Sequence, residues 1–283
     1  IRNPSSHCGV VGIKPSYGRV SRYGLIDLSM SLDQIGTLAN NIEDAALLLS
    51  VIEGKDEKDT KTEDFGKLKL DNFKGKKLKI GVLKIKGVEP RIQKVIDDKV
   101  KELIVKRWDV KEVEIKHVEL AVQTYYPLVY TEFFSGTRRF DGRKYGKKIE
   151  ESCGKEVLRR ILGGSEISKA EFAGAYYKKS LEVKEIIKEE FEKAFEKVDC
   201  VISPVVPSLP WKIGEGKKMP LEKIYAADAL TIPANLAEIC AVSIPVGVVK
   251  EGKEEIPVGM QIMCGKGEDS KMLGIAREIE KSI

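Results

Sequence analysis

The sequence predicts an α/β fold, with a mixed, mostly parallel central sheet covered by helices. Three observations carry this. "LKIGVLK" (78–84) is an apolar run of strand length. The stretch after it, "PRIQKVIDDKVKELIVKRW", sets Ile92, Val95, Ile96, Leu103 and Ile104 on a helical period. "DVKEVEI" (109–115) is then a second strand. Strand, helix, strand in that order calls for a parallel sheet with covering helices.

The other elements follow along the chain. Residues 1–24 hold Gly9, Gly12, Gly18 and Gly24 and two prolines, and read as a glycine-punctuated loop. "NNIEDAALLLSVIEG" is a helix with its stops in place: Asn41 caps, Asp44 follows three residues on, and Gly54 closes it. Residues 55–77 are charged and aperiodic, a surface excursion. Long helical patterns cover 120–140, where Pro127 marks a kink or a start, then 153–163 and 168–197. "DCVISPVVPSLP" (199–210) is a buried strand ending in a proline loop. "CAVSIPVGVV" and "PVGMQIMCG" form a strand pair joined by the turn "KEGKEEI", and "SKMLGIAREIEKSI" closes the chain as an amphipathic helix.

Composition narrows the classes. The 283 residues are 42% hydrophobic and 33% charged, as in a globular protein able to bury a sizeable core. No stretch approaches the roughly 20 apolar residues of a membrane span. The net charge is +5, but Lys and Glu interleave almost evenly. That is a solvated, ion-paired surface more than a nucleic-acid face. Five cysteines without a CxxC pair argue against a disulfide framework and for a reducing compartment, the cytoplasm.

The chemistry is sparse. His7 and His117 are the two histidines, far apart and without companions at ligand spacing. That disfavours a metal site or a Ser-His-Asp triad. No P-loop or GxGxxG follows a strand. Cys200, Cys240 and Cys264 sit in apolar strand contexts, where cysteine behaves as a small hydrophobe. A hydrolase built on this chain needs a nucleophile activated without histidine, and a serine with a lysine base is the remaining option.

That option meets the opening stretch. "IRNPSSHCGVVGIKPSYGRVSRYGLI" followed by "SLDQIGTLANNIEDAALLL" resembles the amidase signature family. "YYPLVYTEFFSGTRRFDGRKYG", "GKEVLRRILGG", "AYYKKSLEVKEIIKEEFEKAFEKVDCVISPVVP", "DALTIPANLA" and "PVGMQIM" extend the likeness over essentially the whole chain. The last four resemble the tRNA-amidotransferase branch of that family. The family hydrolyses amides with a Ser–cis-Ser–Lys triad, and its nucleophile ends a Gly-Gly-Ser run leading into Ile-Arg-x-Pro. The resemblance therefore implies a nucleophile immediately before Ile1, with relay, base and oxyanion loop further upstream. Residues 1–283 would be the C-terminal portion of a single amidase-signature domain, inactive alone, with no catalytic residue of their own.

The resemblance also implies a substrate site. An Arg holds the α-carboxylate of glutamine and an Asp its α-ammonium, while a Tyr lines the pocket. These fall on Arg160, Asp228 and either Tyr125 or Tyr126. A guanidinium fork and a carboxylate do suit the two charges of a free amino acid. Read without the family, Arg160 is a solvated helix arginine and Asp228 an N-cap for the helix after it. Arg2 reads as a structural brace. Glu238 and Cys240 stand where the family usually carries Gly and Pro, and a Glu in that tight segment is expected to perturb the pocket. The implied activity is ammonia release from glutamine for amidation of Glu-tRNA(Gln), with Asp-tRNA(Asn) as a second candidate substrate. B and C subunits are the partners, tRNA is met mostly through them, and no membrane is involved. ATP and Mg would act on the partner's side, with no cofactor or metal in this chain. Another amide hydrolase, or a non-catalytic interaction module, are the alternative readings.

Overall fold

The computed structural model describes residues 1–106, 108–140 and 146–282. Arg107, Ile283 and residues 141–145 of the "RRFDGRKYG" motif lie outside the described residues. The elements in chain order are α1 (Arg2–Cys8), β1 (Val11–Lys14), β2 (Thr37–Ala39), α2 (Ile42–Ile52), β3 (Lys79–Leu83), α3 (Pro90–Val105), β4 (Asp109–Val113) and α4 (Ala121–Thr137). They continue with α5 (Ile149–Ser152), α6 (Lys155–Ile167), α7 (Ala175–Phe195), β5 (Cys200–Pro204), α8 (Leu221–Ala226), α9 (Ile232–Leu236), β6 (Cys240–Glu251), β7 (Glu254–Cys264) and α10 (Asp269–Glu280).

The strands form one seven-stranded sheet in the order β2-β1-β6-β7-β5-β3-β4. It is mixed and helix-covered, as the sequence predicts. The expected excess of parallel pairing is not found. Only β3–β4 and β3–β5 are parallel, while β1–β2, β1–β6, β6–β7 and β5–β7 are antiparallel. The reason is topological. The β-α-β unit at residues 79–113 sits at one edge, and the long β6–β7 hairpin occupies the centre and takes an antiparallel neighbour on each side. Two strands, β1 and β2, are too short to carry a period.

Alternation along β7 separates the two faces. Met260, Ile262 and Cys264 pack with α2, α3 and α10 through Ile42, Ala45, Ile92, Ile96, Met272 and Ile275. On the other face Met263 joins α4, α7 and α9 through Leu128, Ile187, Phe191 and Leu236. That second face turns polar at Gln261, Ser203 and Ser243, all buried, and α1 lies across it.

The opening stretch is thus not the loop its glycines suggest. Pro4 falls in the first turn of α1, where a missing N–H costs nothing. Ser5 returns its hydroxyl to Arg2 O at 2.8 Å, and Ser6 Oγ accepts Gly259 N–H at 3.0 Å. A Cβ at Gly12 would lie 2.5 Å from Ser5 Oγ, so only glycine there lets α1 settle on β1. Pro127 sits within α4 and starts nothing. Asn41 caps α2 as expected, accepting Asp44 N–H at 2.8 Å.

Candidate substrate site

Where α1, β1, α4 and α9 meet, the chain leaves a cavity of about 280 Å³. Its lining includes Arg2, Asn3, Lys14, Gln34, Tyr125, Asp228 and Asn235. Arg2 is its floor. Only 4% exposed, it donates from Nη1 to Gln261 Oε1 at 2.9 Å and from Nη2 to Thr231 O at 2.7 Å and Asn235 Oδ1 at 2.5 Å. Gln261 in turn donates to Ser203 Oγ at 2.8 Å and Leu230 O at 2.7 Å, so the strand, α1 and the start of α9 are pinned together. Burial lowers the Arg2 pKa to about 9 against the opposing pull of Asp228. The structural role read from the sequence fits these bonds.

Lys14, at the end of β1, is the second buried cation. Its three N–H bonds go to Pro15 O (2.9 Å), Gln34 Oε1 (2.7 Å) and Ile239 O (2.5 Å). All are neutral acceptors. Burial first, and the charge of Arg2 second, bring its pKa down to about 7.

Asp228 stands three residues ahead of Thr231, on the turn into α9. It is no side-chain cap: α9 begins after Thr231 without one, and Asp228 serves the turn through its carbonyl, which accepts Thr231 N–H and Ile232 N–H at 3.0 Å each. Its Oδ1 accepts from Asn3 Nδ2 at 2.9 Å. Among the described residues Oδ2 has no hydrogen-bond partner, leaving one carboxylate oxygen for a ligand cation.

Of the two candidate tyrosines, Tyr125 lines the cavity and Tyr126 does not. The rings meet edge to face at 5.3 Å, and Tyr126 instead stacks on Tyr225 at 4.0 Å. Burial raises the Tyr125 pKa to about 12, with Arg160 pulling it down and Asp228 pushing it up. Arg160 is not among the residues that line the cavity; its side chain is 19% exposed rather than solvated, with Nε 3.0 Å from Glu156 Oε1. Burial works against its charge, and Glu156 more than offsets that, so its pKa is raised.

Glu238 does not perturb the cavity as the sequence suggested. Its carboxylate leaves toward Lys184 at 2.6 Å and Lys266 at 3.4 Å. Its φ of 62° is the left-handed conformation that suits glycine, the residue the family usually has there. Cys240 is buried in β6, its Sγ donating to Cys264 O at 3.4 Å. Neither His7 nor His117 lines the cavity, and His117 pairs with Glu190 at 2.6 Å. Among the described residues no three His, Cys, Asp or Glu side chains converge as metal ligands, and no helix is long and apolar enough to cross a membrane. The site residues missed from sequence are Lys14, Gln34, Asn235 and Gln261. The available signal was a polar side chain inside an apolar run, as in "GMQIM".

An amidase family profile matches residues 1–273. The chain belongs to the amidase family. The A subunit of the glutamyl-tRNA(Gln) amidotransferase of Methanocaldococcus jannaschii is 46% identical over all of this chain and 64% of its own length, and that of Methanothermobacter thermautotrophicus is 43% identical over 61% of its own length. This amidase chain thus spans under two thirds of those relatives. The crystal structure of the A subunit of the Thermotoga maritima glutamyl-tRNA(Gln) amidotransferase superposes with a TM-score of 0.81 at 34% identity, over 99% of this chain and 60% of that one. A 6-aminohexanoate cyclic dimer hydrolase superposes equally well, at 0.81, with 22% identity over 100% of this chain and 62% of that one, and shares the amidase fold.

Proposed function

We propose that these residues are the substrate-holding portion of the glutamine-hydrolysing A subunit of a tRNA-dependent amidotransferase. The observation that carries it is the cavity lined by Tyr125 and Asp228, in which Asp228 keeps one carboxylate oxygen without a hydrogen-bond partner among the described residues. In this reading Arg160 draws the α-carboxylate of glutamine, and Asp228 Oδ2 accepts its α-ammonium. Held at both ends, the side-chain amide is presented to the attacking nucleophile. Fixing the non-reacting end raises both affinity and rate, because the amide is already oriented when attacked. The freed ammonia passes to B and C subunits, which together amidate Glu-tRNA(Gln) in the cytoplasm. ATP and Mg act on the partner's side, where most of the tRNA contact also lies.

The test is a paired assay on the full assembly. Arg160→Ala or Asp228→Ala leaves one substrate charge unpaired in a partly desolvated pocket, a loss of about 2–5 kcal/mol. Glutamine-dependent amidation is expected to fall roughly 30-fold to several-thousand-fold in kcat/KM, while amidation with free ammonia survives. If both activities fall together, the residues hold the fold or an interface and the clamp is wrong. If neither falls, Arg160 is only a helix arginine.

A further inference from the structure

Three helices meet at Tyr225, a residue with no role so far. Its ring stacks on Tyr126 of α4 at 4.0 Å and 22°. Its hydroxyl lies 3.0 Å from Glu156 Oε1 of α6 and 2.8 Å from the Tyr130 hydroxyl of α4. Glu156 Oε1 is the same oxygen that accepts Arg160 Nε at 3.0 Å. Tyr225 has one proton, and the carboxylate can only accept. That proton therefore goes to Glu156, and Tyr130 donates to Tyr225. The chain of donors runs Tyr130 to Tyr225 to Glu156, and Arg160 closes it from the other side. Meanwhile the backbone carbonyl of Tyr225 accepts Asp228 N–H at 3.2 Å. One residue thus touches the supports of both charges.

We infer that Tyr225 is a positioning residue that sets the orientation of Arg160 relative to Asp228, and so sets the preference for substrates with a free α-carboxylate. This rests on the glutamine clamp proposed above. With Nε committed to Glu156, that bond orients the planar guanidinium, and among the described residues its two terminal nitrogens have no hydrogen-bond partner. The seat of the relay is itself rigid. A Cβ at Gly163 would meet the Tyr130 ring at 2.7 Å, and one at Gly164 would meet Tyr130 O at 2.1 Å. Two successive glycines therefore bring α6 hard against α4 at the first donor of the chain, so α6 bounds the Tyr130 ring on that side.

The decisive variant is Tyr225→Phe, which keeps the ring stack on Tyr126 and removes only the hydroxyl. Ammonia release is measured in the full assembly from glutamine and from glutamine α-methyl ester, which lacks the carboxylate charge. The expected result is a kcat/KM for glutamine lowered roughly 5- to 20-fold, the size of one lost hydrogen bond, with the ester unaffected. Glu156→Gln is expected to move the glutamine-to-ester ratio in the same direction. If Tyr225→Phe leaves that ratio at the wild-type value, or weakens both substrates equally, the positioning role is overturned while the clamp stands. If the wild type itself does not prefer glutamine to the ester, the clamp falls and the positioning role with it.

Discussion

Glu238 sits at φ 62°, a conformation that costs a residue with a Cβ about 1–2 kcal/mol. Its carboxylate holds Lys184, which is 7% exposed, at 2.6 Å. The second effect wins, because removing one partner of a buried pair costs about 3–5 kcal/mol and exceeds the relieved strain. Glu238→Gly is expected to lower stability in a denaturant titration, and the double change with Lys184→Met to recover most of the loss. A single variant as stable as wild type would show that the ion pair contributes no more than the strain that glycine relieves. Lys14 makes a pH prediction. Its folded pKa of about 7 lies below the usual 10.5, so between those values the unfolded chain holds a proton that the folded one has released. Stability rises with pH wherever the unfolded state binds more protons. The melting temperature of wild type relative to Lys14→Met is therefore expected to climb from pH 7 toward pH 10. A flat difference would mean that Lys14 keeps its proton in the fold.

The helices divide by where their information lies. The start of α2 is local: Asn41 accepts Asp44 N–H at 2.8 Å and returns Nδ2 to Asp44 Oδ2 at 2.8 Å. Asn41→Ala is expected to cost about 1 kcal/mol, read as a lowered urea midpoint at unchanged slope. The seating of α6 is not local. Gly164→Ala would drive a methyl group to 2.1 Å from Tyr130 O, which is backbone and cannot yield cheaply. An overpacking cost of about 1–3 kcal/mol is expected, and a loss below that range would mean the two helices are less closely seated than described. By contrast α1 has no apolar period at all. It stands because Arg2, Ser5 and Ser6 find partners on β7, on α9 and within its own turn, a reason invisible to any local pattern.

At the scale of the whole molecule, the outer face of α2 exposes four apolar side chains. Leu47 is 65% and Val51 76% exposed, with Leu48 and Ile52 beside them, whereas Leu49 is fully buried. A helix apolar on both faces has more hydrophobic surface than one sheet can cover. Leu47→Lys with Val51→Lys is expected to reduce binding of a hydrophobic dye while changing stability by no more than about 0.5 kcal/mol. Leu49→Ala, on the buried face, should cost about 2–5 kcal/mol. Dye binding unchanged by the two lysines would place the exposed surface elsewhere.

What the sequence determined by itself is what neighbouring residues decide. The periods of α2, α3, α7 and α10, the cap at Asn41, the apolar runs of β3 and β5 and the β6–β7 hairpin are all short-range properties. So are the motif strings that resemble the amidases and put Arg160 and Asp228 forward. Only the tertiary structure decided which strands run antiparallel and that Tyr125 rather than Tyr126 faces the cavity. It alone sent Glu238 away from the cavity and brought Tyr225 between the two charges. Each of these depends on residues far apart in the chain: Arg2 meets Gln261 across 259 positions and Tyr225 meets Glu156 across 69. Local sequence sets the conformation a segment prefers, but which segments touch is settled by burying apolar faces and pairing buried polar groups all at once, and no single stretch of residues carries that information.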